Sequence, residues 1–142
     1  MPDGWIVYTI MRKAATVEEV INIAKSHYRY NWGIPMKYQI FIADATGDAV
    51  VICVGTDGEL AFTRKPEGDG FLISTNFNRA NPDNYYGSYP CWRYSTAQTM
   101  LQELQDENSL TIDSFRSILD AVHVRGRIRI LSTQIFSICV MV

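Results

Sequence analysis

Between Lys37 and Ile73, four short apolar runs at residues 38–43, 49–54, 59–62 and 71–74 are separated by turns built on glycine and aspartate. Thr46-Gly47-Asp48 and Thr56-Asp57-Gly58 carry the residues that accept positive φ in tight hairpins. Short strands joined by such turns pair antiparallel with their neighbours, so this stretch reads as an antiparallel meander. Helical patterns lie on both sides of it. The fold class expected is therefore α+β, an antiparallel sheet with packed helices.

Before the meander, Thr16 followed three residues later by Glu19 forms a capping box that opens a helix through about residue 28. Val17, Val20, Ile21, Ala24 and Tyr28 share its apolar face. Gly33 and Pro35 then break the pattern. Residues 5–11 are apolar nearly all round, and periodicity alone leaves both a buried strand and a short helix open. After the meander, a polar segment over 78–90 is long enough to suggest a functional loop. Helices are expected over 91–105 and from Thr111 or Asp113 to about 123, the second burying Phe115, Ile118, Leu119 and Val122. Residues 128–142 read as a long strand, or as the first strand of a hairpin that lacks its partner. An uncovered apolar strand invites pairing with another chain, so truncation or homo-oligomerisation is expected.

The chain has 142 residues, 47% hydrophobic and 20% charged, the composition of a single ordinary globular domain. Its longest apolar runs are interrupted or far short of the roughly 20 residues that a membrane span needs. Thirteen Lys and Arg against fifteen Asp and Glu give a net charge of −2, which supplies no general basic field for nucleic acid. Arg125, Arg127 and Arg129 alternate with other residues and read as the solvent face of a strand or turn. The start Met1-Pro2-Asp3-Gly4 has no signal-peptide pattern, and Cys53, Cys91 and Cys139 form no C-x-x-C pair. A cytoplasmic, reducing location is the expectation.

No metal or cofactor is expected. His27 and His123 each fall at a helix end without clustered ligands, and no phosphate-binding glycine loop or G-x-S-x-G elbow occurs. Pro2 is a weak candidate base, since no suitable amino-terminal strand adjoins it. The richer stretch begins where the fourth strand ends. Thr75 and Asn76 are followed by Asn78, Arg79, Asn81, Tyr85, Tyr86 and Arg93. A strand end holds such side chains rigidly. An Asn amide there can donate to a developing oxyanion, and an Arg can orient a carbonyl or carboxylate. The alternative is an Asx turn leaving the strand, with a surface arginine beyond it.

The order of several segments resembles a known family. Thr16-Val17-Glu18-Glu19-Val20 is similar to its helix start, and residues 39–52, with Asp44 and Gly47, to its hairpin. Residues 71–77, with Thr75-Asn76, resemble its Thr-Asn strand end, followed after a loop by a helix carrying Arg93. Asp120, Thr133, Gln134 and Ser137 match a later helix and strand. Together they resemble the linear-amide branch of the N-terminal nucleophile hydrolases, which holds the choloylglycine hydrolases, penicillin V acylases and relatives of acyl-CoA:6-aminopenicillanic acid acyltransferase.

That resemblance, covering residues 5–142, implies part of an αββα sandwich and a chain equivalent to the carboxyl-terminal portion of such an enzyme. The family nucleophile is a cysteine freed at the mature amino terminus. Cys53, Cys91 and Cys139 are internal and cannot stand in for it. Cys53 also occupies a position where the family usually has Glu. Carried over by position, Asn76 lines the acyl site and Arg93 matches an active-site arginine, while Asp44 and Gly47 shape the hairpin. The expected function is that of a fragment or degenerate relative of a cysteine amide hydrolase acting on linear amides, inactive alone. Its partners would be an acylated-amine small molecule and a complementing amino-terminal half. The alternative is a non-catalytic binding or assembly module that homo-oligomerises through its open sheet. Neither nucleic acid nor membrane is an expected partner.

Overall fold

In the computed structural model, residues 6–28, 39–75, 77–81, 91–123 and 139–141 are described. Their elements run α1 (Ile6–Lys13), α2 (Val17–Tyr28), β1 (Ile40–Ala43), β2 (Ala49–Val54), β3 (Leu60–Arg64), β4 (Leu72–Ser74), α3 (Trp92–Asp106), α4 (Ile112–Ala121) and β5 (Cys139–Met141). The chain is α+β, with helices packed on antiparallel strands.

The ambiguous first segment is a helix. Ile6 and Ile10, one turn apart, are buried, whereas Val7, Tyr8 and Met11 are exposed, so α1 is amphipathic rather than apolar all round. In α2 the Glu19 N–H donates to Thr16 Oγ1 at 3.2 Å, and Glu19 Oε2 accepts from the Thr16 N–H at 3.2 Å, closing the expected capping box. Val17, Val20, Ile21 and Ala24 are buried as their spacing requires. In α4 the Thr111 hydroxyl caps the Ser114 N–H at 3.1 Å, and Ser114 Oγ accepts from the Thr111 N–H at 2.7 Å. Ile118 and Val122 are buried there. Leu119 is exposed instead, and Phe115 is half-buried, because the helix rests on α3 along a narrower stripe than expected.

All four expected strands form, but the meander is three strands, not four. β2 lies between β1 and β3, pairing antiparallel with both, with Phe41 opposite Val51 and Ile52 opposite Phe62. β4 leaves this sheet and pairs with β5, Ile73 opposite Val140. The connection from β3 carries Pro66, which lacks an N–H, and Gly68 at φ 87°, and its Asp69 N–H turns back to the Pro66 carbonyl at 3.2 Å. A tight hairpin is thereby interrupted. The carboxyl-terminal strand thus has a partner in β4. Residues 124–138, including Arg125, Arg127, Arg129, Thr133, Gln134 and Ser137, lie outside the described residues.

The two faces of β2 bury different neighbours. Val50 and Ile52 join Ile6, Ile10, Val17, Val20, Ile21 and Ala24 in one core, so α1 and α2 cover that face. Ala49 and Val51 pack with Leu72 of β4 on the other. The next residue, Ile73, points away into a third cluster with Ala97 and Leu101 of α3 and Ile118 and Val122 beside α4. α1 and α2 therefore cover one face of β2, Leu72 of β4 packs on the other, and Ile73 of β4 faces α3 and α4.

Candidate functional site

β4 ends at Ser74, and Thr75 continues beyond it into a buried position. α3 packs on β4 through Ile73, Ala97 and Leu101, bringing the first turn of that helix back to the strand end. Cys91 stands at its N-cap in extended conformation, and Arg93 lies in its first turn. Thr75, Cys91 and Arg93 are 5%, 4% and 8% exposed, so all three polar or titratable side chains are buried.

Their electrostatics are unusual. Burial pushes the Cys91 thiol up, but the Tyr94 N–H, the Thr75 hydroxyl, and the Arg93 N–H and guanidinium outweigh it, so the pKa falls below the ordinary thiol value. A cation in the first turn of a helix opposes the helix dipole, and no acidic residue accompanies Arg93 there. Cys53 behaves in the opposite way to Cys91. Burial raises its pKa, only partly countered by the Ala80 N–H and the Arg79 charge.

Further polar groups converge on the same strand end. The Gln39 side-chain amide, just before β1, donates to the Thr75 carbonyl, while its Oε1 is buried without a hydrogen-bond partner. The Thr75 hydroxyl likewise meets no oxygen or nitrogen partner. Buried polar atoms left in this way are uncommon and carry a cost in free energy. Beside them, Phe77 and Tyr94 meet edge to face at 5.3 Å, and the Arg79 guanidinium lies 5.4 Å from the Tyr94 ring centroid. Arg79 also donates to the Ile73 carbonyl at 2.9 Å.

Of the two residues expected to form the acyl site, Arg93 is buried at this position. Asn76 lies outside the described residues, as do Tyr85 and Tyr86; the neighbours of Asn76, Thr75 and Phe77, are buried. Asn78 and Arg79 serve the backbone. Asn78 Nδ2 donates to the Val54 carbonyl at 2.8 Å and its Oδ1 accepts from the Ala80 and Asn81 N–H groups, which is an Asx turn as its type suggests. Asp44 and Gly47 shape the β1–β2 turn, with Gly47 at φ 85°. Cys91 was passed over as an internal thiol, although a cysteine at a helix start with arginine two residues on is a legible sign of a lowered pKa. Gln39 carried no such sign.

Among the described residues no group of His, Cys, Asp and Glu is arranged to hold a metal ion, and no helix is long and apolar enough to cross a membrane. His27 Nδ1 is satisfied by the Ile23 carbonyl at 2.9 Å. Comparison with protein-family models, with curated proteins and with solved structures gives no match.

Proposed function

We propose that this chain supplies the acyl-binding side of a hydrolase of linear amides, of the N-terminal nucleophile kind that its sequence resembles. The observation that supports the reading is that α1 and α2 cover one face of β2 while Leu72 of β4 packs on the other, with Ile73 turned toward α3 and α4, a packing compatible with part of an αββα sandwich. The site chemistry agrees with it. An amide presents one donor and one acceptor, and the strand end offers an unmatched acceptor in Gln39 Oε1 beside the hydroxyl of Thr75 and the cation of Arg93. In this reading Arg93 and Asn76 address the acyl carbonyl, in a cytoplasmic protein. Cys53, Cys91 and Cys139 are not the nucleophile, since an internal cysteine has no free α-amine to act as base.

The test is calorimetric titration of the chain with an acylated amine, a phenoxyacetyl amide, alongside an assay for amine release. Saturable binding without turnover is expected, and Arg93→Ala should weaken it by about tenfold or more, the loss of one charge-assisted hydrogen bond. A separately expressed polypeptide with an amino-terminal cysteine should then restore release. Absence of binding rejects the acyl site, and turnover by the chain alone rejects the exclusion of its three cysteines as nucleophile.

A further inference from the structure

The exposed Arg64 and Arg116 have carboxylate partners, Arg64 in Glu18 at 2.9 Å and Asp48 at 2.6 Å, and Arg116 in Asp113 at 3.2 Å. Arg79 is half-buried, yet among the described residues it has no such partner. A guanidinium drawn partly out of water without a counter-ion is uncommon, because nothing offsets its lost hydration. We propose that Arg79 receives a carboxylate carried by the acyl group of the ligand, so that the amides bound here are half-amides of dicarboxylic acids. The inference rests on the reading that this chain supplies the acyl-binding side of the site.

The surroundings of Arg79 suit that role. Its guanidinium is held from two sides, since Nη1 donates to the Ile73 carbonyl at 2.9 Å and Cζ lies 5.4 Å from the Tyr94 ring centroid. That bond uses one of five N–H groups, and the others make no hydrogen bond within the described residues. A planar fork is left for the two oxygens of a carboxylate. The anchor also places the charge at the strand end that carries the rest of the site. Arg79 holds the Ile73 carbonyl and the Gln39 amide holds the Thr75 carbonyl, two residues further on and within about 7 Å along the chain. Gln39 Oε1, buried and unpartnered, is an acceptor for the N–H of an amide. In an extended glutaric half-amide the nitrogen and the carboxylate are about 6 Å apart, a matching span. Phe77 and Tyr94, edge to face at 5.3 Å, give its methylene stem an apolar wall.

The experiment is calorimetric titration of the full chain with N-butylglutaramate and with its neutral methyl ester. The carboxylate form should bind about tenfold tighter or more, as a charge-assisted pair does. Arg79→Gln should abolish that advantage and leave the affinity for the methyl ester unchanged, with a cooperative thermal melt showing that the variant is folded. Arg79→Lys should keep part of the advantage, having the charge without the fork. N-hexanoylglycine, whose carboxylate is on the amine side, should bind no more weakly to Arg79→Gln than to the native chain. Equal affinity for the glutaramate and its ester, an advantage that survives in Arg79→Gln, or a loss of hexanoylglycine binding in that variant would overturn the proposal. Hexanoate, a carboxylate with no amide, separates this inference from the reading beneath it. Arg79-dependent binding as tight as that of the glutaramate would reject the amide reading while leaving Arg79 as a carboxylate site, and absence of binding by every probe would reject both.

Discussion

The Asp44 carboxylate ties a hairpin turn to a helix it does not belong to. It accepts from the Thr46 hydroxyl at 2.6 Å, the Val17 N–H at 2.8 Å, the Thr46 N–H at 2.8 Å and the Asp48 N–H at 3.3 Å. The Val17 bond satisfies the first amide of α2 from outside that helix, beyond what its own capping box reaches. The Thr46 hydroxyl and then the Val17 N–H lower the Asp44 pKa from 3.8 to about 2, against a smaller opposing effect of burial. A carboxylate with a depressed pKa in the folded state stabilises fully above its unfolded value. That contribution is lost as pH falls through the folded value. Asp44→Asn is therefore expected to melt at a lower temperature than the native chain near neutral pH, with the gap closing as pH falls from 3.8 to about 2. Thermal melts across that range decide it, since a gap that stays constant would show that the charge plays no part. The same residue-scale logic distinguishes Cys91 from Cys53. Both are buried; burial dominates at Cys53, whereas the donors around Cys91 outweigh it.

At the scale of elements, α1 shows what periodicity leaves open. Its residues are apolar enough for a buried strand, and it is the exposure of Tyr8, between the buried Ile6 and Ile10, that identifies a helix lying on its side. Ile10→Ala is expected to cost about 2–5 kcal/mol in chemical denaturation, because it empties a packed site. Met11→Ala should stay within about 0.5 kcal/mol, as exposed positions do. In a strand Tyr8 would share the face of Ile6 and Ile10, whereas here it is exposed, so Tyr8→Ala, expected to cost far less than Ile10→Ala, completes the test. Features written in neighbouring residues were legible from the sequence. The Thr16–Glu19 capping box, the Gly47 turn and the spacing of Val17, Val20, Ile21 and Ala24 all depend on residues within one or two turns of one another. The departure of β4 from the meander was not legible, because alternation assigns a strand its faces and not its neighbour. Nor was the burial of Arg93, whose charge alone suggests an exposed helix face while its position at the β4–α3 contact puts it inside. Recognising the site needed the chain separation between Gln39, Thr75 and Cys91 to collapse, which no local pattern records.

For the whole molecule, stability depends on layers that communicate through one strand. β2 is buried on both faces, with the α1–α2 core on one and β4 on the other, so it is the element through which the two halves of the structure meet. Adjacent residues on β2 should therefore report on different partners. Val51 shares a cluster with Leu72, whereas Val50 belongs to the cluster of Ile10 and Val20. In a double-mutant cycle, Val51→Ala and Leu72→Ala are expected to show a coupling of about 0.5–3 kcal/mol, since each leaves a space the other lines. Val50→Ala and Leu72→Ala should add to within roughly 0.5 kcal/mol, because no contact joins their clusters across the strand. Denaturant unfolding of the four single and double variants alongside Val50→Ala gives both cycles from one set of proteins. Coupling of the same size in both cycles would mean that β2 is not a wall between two cores, and the stacked order of helices and strands would have to be redrawn. A coupling confined to Val51 would fix β4 against that face. The strand end that carries Thr75 is then held by packing on β2 as well as by α3, which is the rigidity that a site built on Thr75, Cys91 and Arg93 requires.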